Sequence, residues 1–227
     1  MIHELRIYDT SPGRLPALLD RFPNVIMPFF DKHGMSPVGF WIDEVGVSNR
    51  VTYMLAFDDL AHRERAWAAF RADPERIQAF LYPETDPVFV AHAQNTILRP
   101  TRFAPLQKLA PNTSGGGAPR IFELRRYDAV NGRRLVTLVN RFEKITMGYF
   151  QKHKLDVVGF WTDDIGTNVR LTYMLAFDNM TSRDQAWGPF RTDPDRIQAF
   201  ADSERNGALV ASIQNTIMRP TSFSPLQ

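Results

Sequence analysis

The chain has 227 residues, enough for one large domain or two small ones. It is 44% hydrophobic and 12% aromatic, carries 27 basic against 25 acidic residues, and contains no cysteine. This supports a packed core, excludes disulfides, thiolate nucleophiles and cysteine-based zinc sites, and, with interspersed charges and no basic stripe, argues against nucleic-acid binding.

In chain order, residues 2–9 alternate as a strand does. Residues 13–34 carry Leu15, Leu18, Leu19, Phe22 and Ile26 at helical spacing, and Pro23 and Pro28 predict a kink or break in that helix. Val38–Ile42 and Val51–Phe57 read as strands. Leu60–Phe70 reads as a second helix with Trp67 and Phe70 on one face, assigned to packing alone. Asp73-Pro74 interrupts it, Ile77–Phe80 adds a short helical piece, and residues 88–99 form a last strand. The order is β-α-β-β-α-β, the ferredoxin-like arrangement.

The whole pattern then recurs. "IHELRIYD" at Ile2–Asp9 returns as "IFELRRYD" at Ile121–Asp128, and "TYMLAFD" at Thr52–Asp58 returns unchanged at Thr172–Asp178. "FRADPERIQAF" at Phe70–Phe80 returns as "FRTDPDRIQAF" at Phe190–Phe200. The second copy has Glu143 and Gly148 where the first has prolines, so the kink is expected in the first copy only. At the start of its second helix, Thr181–Asp184 predicts a capping box. The predicted organisation is a domain over 1–107, a flexible Pro/Ser/Gly-rich linker over 108–119, and a second domain over 120–227. A lone unit of this kind leaves one sheet face uncovered, so the two are expected to pack sheet to sheet, with a ligand cavity between them.

"ELRIY", "KHG", "VGFW", "TYMLAFD" followed by Arg63, and the ending "FAPLQ", with their second-copy counterparts, resemble the NIPSNAP family. The resemblance spans nearly everything outside the linker. It implies a dimeric α+β barrel, here built within one chain by tandem duplication. That superfamily is similar in architecture to haem enzymes, cofactor-free monooxygenases, isomerases and aldoxime dehydratases, and fold does not fix activity.

Alternation places Glu4, Arg6 and Tyr8 on one strand face, with Glu123, Arg125 and Tyr127 as counterparts. Such a set can orient an anionic or carbonyl substrate, and it can also act as an interface clamp. Leu5 and Leu124 are expected to meet the helices, leaving the triplet to face the cavity. His33 and His153, shared by both copies, are candidates for proton transfer, for haem ligation, or for stabilising a helix C-terminus. Trp41, Trp161, Tyr53 and Tyr173 are candidate pocket aromatics. Gln94 and Gln214 are candidate polar contacts, one of each Gln–Asn pair being able to reach the cavity. Arg63 and Arg183 are expected to anchor a helix through a carboxylate. No metal site and no organic cofactor are expected. Tyr82, Phe89 and His92 are private to the first copy, and Asp202, Ser203 and Arg205 to the second, so two pockets would be unequal.

The functional expectation is an enzyme performing acid–base chemistry on a hydrophobic or aromatic small molecule. His33 or His153 would move the proton and Arg6 or Arg125 hold negative charge. The alternatives are a non-catalytic binding or scaffold protein, and a haem enzyme with an axial histidine. With no apolar run near ~18 residues and a strand following Met1 directly, the protein is expected to be cytoplasmic, without a membrane span or nucleic-acid partner. Further homo-oligomerisation is left open.

Overall fold

In the computed structural model, residues 1–81, 89–104, 106 and 119–227 are described. The linker expected over 108–119 lies almost wholly outside the described residues. Two compact units are present. The first comprises Met1–Leu98 and Pro220–Gln227, and the second Arg99–Arg219.

In the first unit, β1 (Ile2–Thr10) is followed by α1 (Leu15–Arg21), a π-helical turn (Phe22–Ile26) and α2 (Met27–Lys32). Then come β2 (Ser36–Val45), β3 (Arg50–Phe57), α3 (Leu60–Ala72), α4 (Pro74–Ala79) and β4 (Val90–Pro100). The strands are antiparallel in the order β4-β1-β3-β2, with Arg6 opposite Tyr53 on one side and Asn95 on the other. The second unit repeats this with β5 (Ile121–Ala129), α5 (Gly132–Arg141), a π-helical turn (Phe142–Thr146), α6 (Met147–Lys152), β6 (Asp156–Ile165) and β7 (Arg170–Phe177). It closes with α7 (Met180–Thr192), α8 (Pro194–Ser203) and β8 (Val210–Pro220), in the order β8-β5-β7-β6. The α+β, ferredoxin-like reading of each repeat is the fold observed.

The expected proline kink takes a different form. Both copies have a π-helical turn at the same place, although only the first has Pro23 and Pro28. The cause is therefore packing. The turn carries Phe22 or Phe142 onto the sheet, where Phe22 lies 5.1 Å from Phe40 and Phe142 lies 5.2 Å from Phe160, ring centre to ring centre. One extra residue per turn re-aims a side chain that a regular α-helix would misplace.

The starts of α3, α4, α5, α7 and α8 follow capping chemistry. The Asp59 carboxylate accepts the His62 N–H, and Asp73 accepts those of Glu75 and Arg76 to open α4. The capping box of α7 is formed by Asn179 and Ser182, rather than by Thr181 and Asp184. The core of the first unit lies between its sheet and its helices. There Phe40, Tyr53, Leu55 and Val51 meet Leu18, Phe22, Phe30, Trp67 and Phe70.

Candidate functional site

On β1, Glu4 is fully buried on the face that the helices cover. Its carboxylate accepts Arg63 Nε and Nη2, each at 2.8 Å, and Trp67 Nε1 at 2.7 Å, all from α3, together with Arg6 Nη1 at 2.8 Å. Burial disfavours the Glu4 anion, but the Arg63 hydrogen bonds, the Arg6 charge and the Trp67 donor outweigh it and hold the pKa below the usual range. Arg63 thus anchors α3 through a carboxylate, as expected, and Trp67 supplies a hydrogen bond that packing alone does not require.

Arg6 points onward from Glu4. Its Nη2 donates to the Tyr8 oxygen at 2.6 Å and its Nε to the same oxygen at 3.2 Å. The buried Tyr53 hydroxyl donates to Tyr8 at 2.9 Å. Desolvation would lower the Arg6 pKa, yet the neighbouring Tyr53, Tyr8 and Glu4 raise it, so the cation is firmly held. Burial pushes the Tyr53 phenol well above its ordinary value. Among the described residues three of the five guanidinium hydrogens are used, which leaves two for another partner.

This polar end opens into a cavity of about 650 Å³. Arg6, Tyr8, Tyr53 and Asn95 supply its sheet side. Phe22, Ile26, Phe30, Trp67 and Phe70 supply its helix side, and Arg21, Arg71, Arg76, Phe80 and Phe89 also line it. The Arg76 guanidinium lies over the Phe80 ring at 4.1 Å and the Phe70 ring at 4.8 Å. The walls are aromatic and the fixed charges on them are cationic, which favours a flat, apolar ligand bearing negative charge.

Three expectations need correction. The cavity lined by Arg6 and Tyr8 lies between the first unit's sheet and its own helices, because the triplet is on the helix-covered face. Leu5 is on the other face, with His3, Ile7, Trp41 and Met54. Trp41, and Trp161 at the matching position of the second unit, are fully buried, each ring lying against the glycine two residues before it, and neither lines the cavity of its unit. On β4 it is Asn95, opposite Arg6, that reaches the cavity. Gln94 is opposite Ile7, exposed and 3.3 Å from His92, and Gln214 is exposed opposite Arg126.

His33 and His153 are also placed elsewhere. Each ends its helix, with Nε2 held by Asp73 at 2.8 Å and by Asp193 at 2.7 Å. Lys32 and Lys152 pair with the same carboxylates. Neither histidine lines the cavities that hold Arg6 and Arg125. A haem iron would have to compete with those carboxylates for Nε2, so the residues do not fit that group. Among the described residues no cluster of His, Asp and Glu could hold a metal ion.

The second unit repeats the polar end. Glu123 accepts from Arg183, Trp187 and Arg125, while Arg125 and Tyr173 donate to Tyr127 at 3.0 and 3.1 Å. Its cavity, lined by Arg125, Tyr127 and Tyr173 among others, measures only about 210 Å³. Phe89, private to the first copy, lines the larger cavity. Tyr82 lies outside the described residues. Arg21, Phe70, Arg76 and Phe80 were missed as cavity residues, although the repeated "DP-x-RIQAF" segment carries two of them.

No helix of the described residues is long and apolar enough to cross a membrane. A family model described as NIPSNAP matches the chain twice, at residues 3–105 and 122–225. Protein NipSnap homolog 3B of Mus musculus is 25% identical over 226 residues, covering 99% of this chain and 85% of that protein. Protein NipSnap homolog 3A of Homo sapiens is 24% identical over 228 residues, covering 100% and 86%. A solved structure from Fusobacterium nucleatum, called a "putative monooxygenase", superposes with a TM-score of 0.61 at 9% identity, over 96% of this chain and 91% of that one. At that identity the likeness shows the fold alone.

Proposed function

The chain belongs to the NIPSNAP family, and on that premise we propose that its first unit binds a flat apolar molecule with a carbonyl or acidic oxygen and moves a proton at that oxygen. One observation carries the reading. The Tyr8 oxygen already receives Arg6 and Tyr53, so its own hydrogen is left for a group in the cavity. Arg6, with two hydrogens to spare, stands beside that group and stabilises negative charge on it. Tyr8 takes the proton-moving role expected of His33, because Tyr8 lines the cavity and His33 does not.

The step is an enolisation. A carbon–hydrogen bond next to the carbonyl breaks and its proton passes to water. The electron pair moves onto the oxygen, which takes the Tyr8 hydrogen under the Arg6 charge, and the Tyr8 oxygen then recovers a proton from water.

The test is hydrogen–deuterium exchange at the α-carbon of 2-tetralone in D₂O, followed by NMR. Wild-type protein is expected to accelerate exchange over buffer, and Tyr8→Phe, which keeps the ring, to lose roughly 100-fold of that acceleration. Equal exchange by wild type and Tyr8→Phe would reject the role of Tyr8. Binding of 2-tetralone without exchange would favour a non-catalytic ligand-binding protein.

A further inference from the structure

The second unit keeps every member of the polar end, yet its cavity is about 210 Å³ against about 650 Å³ in the first. Cavities for drug-sized ligands span roughly 300–1,000 Å³, so the two fall on opposite sides of that limit. The contraction has identifiable causes. On β8, Ile213 stands opposite Tyr127 and lines the cavity, where β4 has Ala93 opposite Tyr8. The helix α8 runs on to Ser203, whereas its counterpart α4 stops at Ala79. The longer helix delivers Glu204, whose carboxylate accepts Arg141 Nη1 at 2.9 Å. This latch holds the Arg141 guanidinium 4.6 Å from the Phe200 ring centre, with its side chain only 6% exposed.

We infer that the second cavity is a separate, smaller site for a single-ring aromatic anion, closed to polycyclic ones by Ile213 and the Arg141–Glu204 latch. The walls available to one ring are Phe142, Phe150 and Trp187, and its charge meets Arg125 and Tyr127. The chain thus grades ligands by size with one polar motif used twice. The inference shares with the proposed function the view that Arg and Tyr on β1 or β5 hold an anion, but it concerns a different cavity.

Benzoate and 2-anthroate are the probes, measured by calorimetry and by methyl NMR on the full chain. The Ile213 methyl signal is assigned by its loss in Ile213→Ala. Benzoate is expected to shift that signal, and 2-anthroate to bind once per chain without shifting it. In the double variant Ile213→Ala, Glu204→Gln, 2-anthroate is expected to bind twice. Both positions are partly exposed, so the variant should fold. Two 2-anthroate molecules on wild type, one on the double variant, or no benzoate effect at Ile213 would each overturn the inference. If 2-anthroate fails to bind wild type while benzoate still shifts Ile213, the proposed function of the first cavity fails and the second site stands.

Discussion

His3 and Phe122 occupy the same position of β1 and β5, and both are fully buried. Burial first, and the nearby N-terminal ammonium second, lower the His3 pKa from 6.5 to about 4. The folded state therefore favours the neutral ring. That contribution is complete above pH 6.5 and is lost as pH falls towards 4, because the unfolded chain takes the proton first. It amounts to roughly 3 kcal/mol. His3→Phe, which copies the second repeat, should flatten the decline in stability between pH 6.5 and 4, measured by urea unfolding at a series of pH values. An unchanged decline would show that other groups set it. Alternation in the sequence groups Glu4, Arg6 and Tyr8 on one face of β1, and Arg6 does bond both of the others there, but that face is the one the helices cover. Alternation tells which side chains share a face; it does not tell which face the helices cover. The partner of His33 was equally invisible, since Asp73 is 40 residues away and is brought close only by the start of α4.

Elements were more legible, because the repeat displays each pattern twice. Their interruptions were less so: Pro23 and Pro28 suggest a kink peculiar to the first copy, yet the second, with Glu143 and Gly148 in their places, has the same π-helical turn. The glycines separate two roles. A Cβ on Gly39 would lie 2.4 Å from the Trp41 ring, which is fully buried. Gly39→Ala should cost ~1–3 kcal/mol or more through overpacking, read as a lower midpoint in urea. Gly148, inside α6, has nothing within 4 Å of an added Cβ. Gly148→Ala should therefore stabilise by ~0.5–1 kcal/mol. The reverse order of these two midpoints would contradict the β2 packing described.

At the scale of the molecule, each unit is completed by a tail that follows the other copy in sequence. Residues 220–227 belong to the first unit. There Thr221 N donates to Phe40 O at 2.9 Å, Ser224 Oγ accepts the Phe40 N–H at 2.9 Å, and Phe223 packs 5.3 Å from the Phe40 ring. Repeat boundaries in the sequence conceal this, because the tails "FAPLQ" and "FSPLQ" look like the ends of their own copies. Deleting residues 220–227 should lower the melting temperature of the first unit and weaken any binding of 2-anthroate in its cavity, since Phe22 on the cavity wall stacks on Phe223. A truncated chain that melts and binds as the full one does would remove the tail from this role. Under the proposed function Arg6 serves a ligand as well as the fold, and Arg6→Gln tests this most directly, with thermal unfolding and 2-anthroate affinity measured on the same preparation. Glu4 keeps Arg63 and Trp67 when Arg6 is lost, so the variant should stay folded with a modestly lower melting temperature. Loss of a charge-assisted contact of ~1.5–3 kcal/mol predicts an affinity reduced by about 10- to 100-fold. An early-melting variant whose folded fraction binds 2-anthroate as tightly as wild type would instead make Arg6 a clamp for Glu4 and Tyr8 alone.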